Sequence, residues 1–504
     1  MFSFRITSYV KKARARGVSD EQIYAELLKA DWSHAEINKR LNHADKKAIF
    51  PQVALLTLVI LVGGFLGSTG ILWNIKTEHS ETPNTTTKGF VAKIAEGSAS
   101  FVDAASLVYP DSQKFHDTKA QYLEGKVPFI EADLDLMKLH VYNDGVETKE
   151  FTIVSKGKEG SWWETPTGDY RVLGKEANHF SSIGQVWMPW SIQFYGNFFI
   201  HGWPYYESGD PVAPGHSGGC IRLTTDDAKE LYALVDKDTP ILVKETTLSS
   251  NFGSALVQGA QPPVVSAGSF LIANVATGEK ILGKNNDTIV PVASLTKLMT
   301  AVVTSELIYL ERTISVSKSQ LASTALFDPK AGEQYIAFDL LYPLLMQSSN
   351  EAANIIAGFL GREQFVGYMN QKSNALGMAN THFEDPSGIA SGNTSSANDL
   401  LKLMQYIYFK RSFLFDITKG SSYKTYSGLH TTEIANFNEF VSDARLVGVK
   451  NGKTTAAGET FASVWEFPSP SGPVPVAIIL LGSNDRATDA RALLDWVGKN
   501  VEFK

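Results

Sequence analysis

Cysteine is almost absent from this sequence, which has one such residue, Cys220, among 504. A single cysteine cannot form an internal disulfide, so the folding of an exported form would not depend on oxidation. Long runs of lysine or arginine are also missing, and the formal net charge is -7. The chain therefore lacks the basic excess that neutralises a nucleic-acid backbone, and we expect no nucleic-acid partner.

Apolar residues are by contrast plentiful. A chain of 504 residues with 43% hydrophobic content can build several cores, which predicts a multidomain globular protein. The run Val53–Trp73 contains no charged residue and is long enough, as a helix, to cross a bilayer. Basic residues precede this run and polar residues follow it, which predicts a cytoplasmic N-terminus and an outward-facing remainder.

Changes in composition divide the chain into segments. Apolar and polar residues alternate from Phe129 to Leu136, and Asn143-Asp144-Gly145 is a turn signal, so this region is predicted to be mainly β. A Gly-, Ser- and Pro-containing stretch then marks a linker. The predicted segments are a cytoplasmic helical segment (1–48), a transmembrane helix (51–73), a spacer (74–123), a domain around Cys220 (124–245, the cysteine domain), a linker (246–263) and a C-terminal domain (264–504, the serine domain).

Cys220 lies in the segment GHSGGCIRL, about a dozen residues after His201-Gly202. Small residues before the thiol allow a tight turn that aims backbone amides at a developing oxyanion, and His201 is placed to act as a base. From these residues alone, three alternatives remain. They are a buried structural cysteine, a metal site shared with His201 and His216, and a redox thiol.

The surroundings of Cys220 resemble the catalytic domain of the L,D-transpeptidases. The segments TPTGDYRV (165–172) and MPWSIQFYGNFFIHG (188–202) precede the cysteine motif in that family's order. The resemblance implies a mainly β domain in which Cys220 is the nucleophile and His201 the general base. It also implies supporting or substrate-binding roles for Gly202, Ser217, Gly219 and Arg222. Gly218 departs from the pattern, because the family usually has a histidine there.

A second set of candidate residues begins with Ser294 and Lys297. Three residues apart at the start of a helical run, they lie on one helix face, so the amine can reach the hydroxyl. Ser348-Ser349-Asn350 and Lys450-Asn451-Gly452 follow at wider spacing. A second hydroxyl, an amide that holds the substrate and a Lys-x-Gly strand that binds a terminal carboxylate are the groups that peptide acyl transfer needs.

These motifs, together with the segment 369–389 and GVKNGKTTAAG from Gly448, resemble the serine D-alanyl-D-alanine carboxypeptidases, which are low-molecular-mass penicillin-binding proteins. The resemblance implies an α/β domain of the β-lactamase and penicillin-binding-protein type. Ser294 would be the nucleophile, Lys297 its base and Ser348 a second catalytic hydroxyl. The implied substrate-binding residues are Asn350, Lys450, Asn451, Gly452, Lys453 and Thr454, with an oxyanion hole formed by the backbone N–H groups of Ser294 and Lys453. Asn451 replaces the threonine of the family's Lys-Thr-Gly.

The two resemblances imply a bifunctional peptidoglycan enzyme of the cell membrane, with both catalytic domains outside and with no metal or organic cofactor. The serine domain would trim pentapeptide stems to tetrapeptides, and the cysteine domain would use tetrapeptide donors to form 3-3 cross-links. We expect β-lactams to be covalent inhibitors. Three alternatives remain: a β-lactamase, for which a deacylating Glu motif is not recognisable; a degradative D,D-endopeptidase with an L,D-carboxypeptidase; and a non-catalytic peptidoglycan-binding scaffold.

Overall fold

The structure, a computed structural model, describes residues 110–245, 255–258, 261–321, 327–420, 422–427 and 430–504. These residues fall within one compact unit, Thr87–Lys504. The predicted cytoplasmic segment, the predicted transmembrane helix 51–73 and the predicted spacer up to residue 109 lie outside the described residues. Within the described part, no helix combines the length and the apolar character that a membrane span requires.

The cysteine domain starts with a helix inside the segment that was predicted to be a spacer. This helix, α1 (Pro110–Glu124), packs against the first strand. The ring centroids of Tyr122 on the helix and Phe129 on the strand are 5.4 Å apart. Lys119 of the helix donates a 2.6 Å hydrogen bond to Glu131. The end of the predicted spacer 74–123 is therefore helical and packed on the domain, because its aromatic side chains have an apolar surface to cover.

Two sheets form the body of the cysteine domain. One has the order β3-β2-β1-β9-β4 and the other β5-β6-β7-β8, and most buried side chains of both belong to one core. Asp144 and Gly145, both with positive φ, make the predicted turn between β2 and β3. The element bounds are β1 Phe129–Asp133, β2 Lys138–Asn143, β3 Val146–Thr152, β4 Gly168–Arg171, β5 Gly174–Ser181, β6 Val186–Tyr195, β7 Phe198–His201, β8 Ile221–Arg222, α2 Thr225–Leu234 and β9 Pro240–Lys244.

The serine domain is built on a five-stranded antiparallel sheet of order β12-β11-β21-β20-β19. Side chains alternate across it: Leu271 and Ala273 face the large helical core, whereas Phe270 and Ile272 face a second core that includes the C-terminal helix. The strands are β10 Ala255–Val257, β11 Ser269–Asn274, β12 Lys280–Lys284, β13 Val290–Pro291, β14 Thr313–Ser315, β15 Gln334–Ile336, β16 Thr394–Ser395, β17 Ser422–Ser427, β18 His430–Ala435, β19 Leu446–Thr454, β20 Gly458–Phe467, β21 Val474–Ser483 and β22 Val501–Phe503.

The helices of this domain cover both faces of the sheet. They are α3 Thr296–Leu307, α4 Ala337–Met346, α5 Asn350–Leu360, α6 Arg362–Ala375, α7 Ala397–Lys410, α8 Phe413–Lys419 and α9 Arg486–Asn500, with short 3-10 turns at Ala293–Leu295 and Lys318–Gln320. In the predicted linker 246–263, the described segment β10 pairs with the C-terminal strand β22. That part of the linker is therefore tied to the serine domain by backbone hydrogen bonds.

Buried charges join the two domains. Lys410, at the end of α7, lies 2.9 Å from a Glu164 oxygen and 2.6 Å from a Glu245 oxygen, and all three side chains are less than one-tenth exposed. Burial opposes the charge on Lys410, but the two carboxylates outweigh it and raise the pKa of Lys410 above its ordinary value. The ion pairs therefore tie the serine domain to the cysteine domain in a region of low solvent access.

A second buried cluster extends this junction. The Glu306 carboxylate of α3 lies 3.0 Å from the Arg411 guanidinium and 3.2 Å from the Lys372 amine, and the side chains of all three have no exposed surface. Arg411 also donates to the Glu164 carbonyl oxygen, and Lys372 donates to the Tyr170 hydroxyl at 3.0 Å. The same cations thus bind groups of both domains, so we expect the two domains to unfold together.

Two candidate active sites

Ser294 lies in the 3-10 turn that leads directly into α3, and strand β19 runs against this turn. A Cβ atom on Gly452 would be only 2.7 Å from the Ser294 amide nitrogen. Ala293, which precedes the serine, has a positive φ of 49°. Because any side chain at 452 would displace the turn, the glycine of the Lys-Asn-Gly motif permits the close approach of strand and nucleophile.

Lys297 is completely buried in the first turn of α3, and its Nζ contacts three oxygens. They are Ser294 Oγ at 3.1 Å, Asn350 Oδ1 at 2.8 Å and the Ser387 carbonyl at 2.6 Å. An uncharged amine has two N–H bonds and one lone pair. The amide and carbonyl oxygens can only accept, so they take the two N–H bonds and leave the lone pair facing the Ser294 hydroxyl proton. This arrangement suits a general base.

Burial also favours the uncharged form of this amine. It lowers the pKa of Lys297 to about 7, against smaller opposing effects of Asp385 and Glu351. A substantial fraction of Lys297 is therefore neutral near pH 7, whereas an exposed lysine would be almost fully protonated. The position of the base next to Ser294 and its pKa agree with the role predicted for it.

Acylation of Ser294 is expected to rise with pH through the region around 7 and to level off above it. Protonated Lys297 cannot accept the serine proton, so the rate should fall about tenfold per pH unit well below this pKa. The rate of labelling by a fluorescent penicillin between pH 5 and 9 measures this profile. A rate that still rises about tenfold per unit at pH 9, as a pKa at the ordinary lysine value of 10.5 would require, would show that Lys297 is charged at rest.

A second hydroxyl and amine pair faces the first. Ser348, with a positive φ of 58°, accepts a 3.0 Å hydrogen bond from the Lys450 amine of β19. Lys450 also donates to the Asn451 carbonyl oxygen at 2.6 Å. Burial, and then repulsion by Lys297, hold the pKa of Lys450 well below its ordinary value. Since Asn350 binds Lys297 two residues after Ser348, the three predicted motifs converge on one site.

The remaining residues of the predicted third motif lie at the end of β19. The Lys453 side chain is 70% exposed, and its amine pairs with the Glu459 carboxylate at 2.9 Å. The Thr454 hydroxyl accepts the Ala457 amide at 3.1 Å in the turn to β20. Asn451 is half-buried. The predicted substrate contacts of Asn451, Lys453 and Thr454 stay predictions.

One structural element of the serine site carried no predicted role. The carboxylate of Asp385 is buried and accepts hydrogen bonds from the backbone amides of Ser387, Gly388 and Ala390. It also accepts from the Asn393 side chain at 2.7 Å. This network fixes the loop whose Ser387 carbonyl binds Lys297. The Asp385-Pro386-Ser387-Gly388 sequence is a recognisable turn signal, but only the tertiary structure brings it to the nucleophile.

The candidate cysteine site lies at the edge of the second sheet of the cysteine domain. Strands β7 and β8 are parallel, with His201 opposite Arg222. Cys220 immediately precedes β8 and is partly buried. Cys220, His201 and Arg222 line a cavity of about 290 Å³, so these predicted residues share one space. The thiol donates a weak 3.7 Å hydrogen bond to the Asn197 carbonyl oxygen.

His201 is held in a defined orientation. Its Nδ1 is 2.6 Å from the Gly202 carbonyl oxygen, and because a carbonyl can only accept, Nδ1 carries the proton. Burial lowers the pKa of His201 to about 3, so the ring is neutral at physiological pH and Nε2 has a free lone pair. Gly202 thus contacts the ring through its backbone carbonyl, and its predicted supporting role stays a prediction.

The thiol itself is protonated in the resting site. Burial raises the pKa of Cys220 to about 11, and the opposing effects of a Phe199 backbone hydrogen bond and of Arg222 are smaller. A resting thiolate is therefore not present at neutral pH. Attack by Cys220 requires that its proton leaves as the sulfur reacts, and the neutral imidazole of His201, facing the same cavity, is a suitable acceptor.

Arg222 is the buried cation of this cavity. It is 9% exposed, and its Nε and Nη1 atoms have no hydrogen-bond partner among the residues that the structure describes. Its guanidinium lies 5.7 Å from the Trp203 ring centroid. Buried guanidinium N–H groups without a partner favour a bound carboxylate or carbonyl oxygen, so Arg222 is a candidate substrate-binding group.

The turn before Cys220 is held by Ser217. Its hydroxyl donates to the Cys220 carbonyl oxygen and accepts the Gly219 amide at 3.1 Å. Gly219 has φ 107°, and a Cβ there would lie 2.3 Å from Phe198 Cε1. Gly218 has open space around its Cβ position and lines the cavity. The position where the family has histidine is therefore unfilled in this protein and borders the cavity that Cys220 also lines.

The two adjacent glycines are expected to respond differently to alanine. Gly219→Ala forces a side chain into a left-handed conformation and against Phe198, which should cost about 1–3 kcal/mol of unfolding free energy. Gly218→Ala adds a methyl group to open space and should change stability by less than about 0.5 kcal/mol. Urea unfolding of both variants measures the difference. Equal losses would mean that the turn has another conformation.

The alternatives considered for Cys220 differ in their geometric requirements. A structural cysteine would be fully buried in a core, whereas this thiol is partly buried and lines a cavity. In the described segments, His201, His216 and Cys220 are not among the residues grouped closely enough to share a metal ion, and His216 is exposed. The one such group found there is His140, Glu147 and Glu150, on the surface of the first sheet.

Comparison with known families matches both parts of the chain. A family model described as D-alanyl-D-alanine carboxypeptidase matches residues 256–466, and one described as L,D-transpeptidase catalytic domain matches residues 128–243. The predicted arrangement of a cysteine-type and a serine-type catalytic domain is thereby confirmed.

Individual relatives also resemble this chain. The D-alanyl-D-alanine endopeptidase of Pseudomonas aeruginosa is 29% identical over 276 residues, which are 51% of this chain and 88% of the relative. D-alanyl-D-alanine carboxypeptidase DacB2 of Mycobacterium tuberculosis is 31% identical over 202 residues, or 39% of this chain and 69% of the relative. A crystal structure of a D-alanyl-D-alanine carboxypeptidase from Mycobacterium tuberculosis H37Rv has 27% identity, covers 48% of this chain and 94% of its own, and gives a TM-score of 0.44.

Proposed function

Because the chain belongs to the D-alanyl-D-alanine carboxypeptidase family and also carries an L,D-transpeptidase catalytic domain, we propose that it performs two consecutive acyl-transfer reactions on peptidoglycan stems. The serine site removes the terminal D-Ala of a pentapeptide stem. The cysteine site uses the resulting tetrapeptide as acyl donor for a 3-3 cross-link. The observation that carries this proposal is the presence of two candidate nucleophile and base sets in one compact unit.

At the serine site, Ser294 Oγ attacks the carbonyl carbon of the penultimate D-Ala as its proton passes to the Lys297 amine. The C–N bond then breaks, the terminal D-Ala leaves with a proton, and an ester remains on Ser294. The proton that Lys297 accepted reaches the leaving amine through the Ser348 hydroxyl, which gives one proton and takes one back, while Lys450 holds that hydroxyl at 3.0 Å. Water hydrolyses the ester and releases the tetrapeptide.

At the cysteine site, the thiol attacks the carbonyl of the L,D bond before the last D-Ala while His201 Nε2 accepts the thiol proton. The C–N bond breaks, D-Ala leaves with that proton, and a thioester remains on Cys220. The side-chain amine of a second stem then attacks the thioester and regenerates the thiol. The neutral imidazole and the protonated thiol are the starting states that this sequence needs.

The shared helix α3 supports a sequential use of the sites. It has 12 residues, so it is roughly 18 Å long, with Lys297 in its first turn and the wall of the Cys220 cavity at its other end. A tetrapeptide released at Ser294 is therefore produced close to Cys220, which raises its local concentration. We further propose that residues 51–73 anchor the chain in the cell membrane and that both sites face outward, on the basis of the sequence alone.

A D,D-endopeptidase activity is a second candidate for the serine site. The Pseudomonas aeruginosa relative, 29% identical, is named a D-alanyl-D-alanine endopeptidase. Both reactions begin with the same attack by Ser294 and differ in whether the leaving amine is free D-Ala or a cross-linked D-Ala residue. With endopeptidase activity, the serine site would cleave cross-links in place of, or in addition to, trimming pentapeptides.

Product analysis by mass spectrometry tests these assignments on the full-length chain. With disaccharide-pentapeptide, the wild type should form tetrapeptide and then a Cys220-dependent dimer. Cys220→Ala should accumulate tetrapeptide, and Ser294→Ala should leave pentapeptide unchanged yet still join added tetrapeptide. Cleavage of a 4-3 cross-linked dimer would support the endopeptidase. Formation of tripeptide in place of dimer would make Cys220 a hydrolytic nucleophile and refute cross-linking.

A further inference from the structure

The Cys220 cavity is not formed by the cysteine domain alone. One of its walls consists of Ser305–Tyr309, where helix α3 of the serine domain ends. Trp162 and Trp163 of the cysteine domain line the same cavity, together with Cys220 and His201. A cysteine domain without its neighbour would therefore have an open groove where the described protein has a walled cavity.

Specific contacts hold this wall in place. The Asn197 side-chain amide donates a 3.0 Å hydrogen bond to the Leu307 carbonyl oxygen at the end of α3. The Leu307 side chain fits against Gly196, where a Cβ would be only 2.1 Å from its Cδ2 atom. Because Gly196 has φ 46° and no side chain, the loop after β6 can pack directly on the helix end.

The mouth of the cavity is aromatic and is shared by both domains. Trp162 and Tyr309 meet edge to face with ring centroids 5.2 Å apart, and Trp162 and Trp163 also meet edge to face at 4.8 Å. Tyr309 is 41% exposed, so its ring is available to a bound molecule as well as to Trp162. Residue 309 belongs to the serine domain but borders the space in front of Cys220.

The cavity lining has a polar part and an apolar part, and this difference indicates the kind of molecule that fits. Arg222 is buried, and among the described residues its Nε and Nη1 atoms have no hydrogen-bond partner, which suits a carboxylate. Leu307, Ile308 and Met188 provide apolar surface on the walls. A volume of about 290 Å³ is at the low end for ligand pockets and holds a few residues of an extended peptide.

We propose that the Cys220 cavity is a composite subsite for the carboxyl-terminal end of a tetrapeptide stem, completed by Ser305–Tyr309 of the serine domain. This inference rests on the proposed function for the identity of the stem. In it, Arg222 binds the terminal carboxylate, and Tyr309 packs on the stem at the mouth. Residues outside the cysteine domain thus determine which peptide reaches Cys220, and Tyr309 is a positioning residue.

Alkylation of the single thiol tests the proposal, because Cys220 is the one cysteine of the chain. Full-length protein is treated with a maleimide, and modification is followed by intact mass with and without a synthetic tetrapeptide stem. We expect the tetrapeptide to protect Cys220 in the wild type. Tyr309→Ala should need at least about tenfold more tetrapeptide for the same protection, and Tyr309→Phe should behave like the wild type because the ring is kept.

Tyr408→Ala is the matched control, since Tyr408 is a half-buried tyrosine of α7 that does not line the cavity. It should retain full protection. Labelling of Ser294 by a fluorescent penicillin verifies that each variant is folded. Equal protection in the wild type and in Tyr309→Ala would overturn the proposal.

A second readout separates failure of the composite cavity from failure of the proposed function. Without any peptide, the ratio of alkylation rates by a bulky and a small maleimide reports the width of the mouth. Tyr309→Ala should raise this ratio several-fold if Tyr309 forms the wall. A raised ratio with no protection by tetrapeptide would keep the composite wall but reject the tetrapeptide as its occupant, whereas an unchanged ratio would reject the wall.

Discussion

Lys297→Ala is expected to slow the acylation of Ser294 by about 10²–10⁴-fold, which is the usual contribution of a positioned general base. The buried amine is 3.1 Å from Ser294 Oγ, and its pKa of about 7 keeps a substantial part of it neutral. The rate constant for labelling by a fluorescent penicillin, measured at pH 8, gives the size of the effect. At that pH most wild-type Lys297 is uncharged, so the comparison is not limited by protonation.

Two comparisons make this result specific. Lys499→Ala removes an exposed lysine from the last turn of α9 and should label at the wild-type rate. The Cys220 reaction of Lys297→Ala should also be unchanged, because the thiol's proton acceptor is His201. If Lys297→Ala labels within threefold of the wild type, another group takes the Ser294 proton and the assigned base is wrong.

Lys410→Ala is expected to destabilise the protein by about 3–5 kcal/mol, the typical cost of removing one partner of a buried ion pair. The change leaves Glu164 buried without its cation and leaves Glu245 with Lys156 alone. Lys402→Ala is the control on the same helix. Lys402 is half-buried and pairs with Asp399 at 2.8 Å, so its removal should cost less than about 1 kcal/mol.

The unfolding free energy that is lost in Lys410→Ala should depend on pH in a defined direction. The pKa of Lys410 is raised in the folded protein. Its contribution to stability is therefore fully present below pH 10.5, the ordinary lysine pKa, and is lost as the pH rises through the pKa of the folded state. The pKa of Glu245 is lowered, chiefly by Lys410 among its charged neighbours, so its contribution is present above 4.5 and is lost as pH falls through the folded-state value. The difference between variant and wild type is thus largest in the neutral range and shrinks in acid.

Domain-specific probes can show whether this junction couples the domains. Thiol exposure of Cys220 reports unfolding of the cysteine domain, and penicillin labelling of Ser294 reports unfolding of the serine domain. In urea, the wild type should lose both signals at one midpoint, and Lys410→Ala should lose them at lower and separate midpoints. Separate midpoints already in the wild type would contradict the expected joint unfolding.

The local features of this protein follow from neighbouring residues in the chain. The helical repeat brings Ser294 and Lys297 together. The turn at Asn143-Asp144-Gly145 forms because its residues readily adopt the backbone conformations that the turn requires. The motifs and their order indicated both families, and the matches to the two family models confirm this prediction. Such features depend on neighbours in the chain, whose geometry is fixed by the backbone.

The remaining features depend on contacts between residues that are far apart in the chain. The Ser387 carbonyl that binds Lys297 is 90 residues away from it in sequence, and the ion pair between Lys410 and Glu164 joins residues separated by 246 positions. The neutral states of Lys297 and His201 and the raised pKa of Cys220 come from burial, which is produced by residues distant in the chain. For the same reason, the serine-domain wall of the Cys220 cavity has no local signal, because it exists only where two separately encoded surfaces pack together.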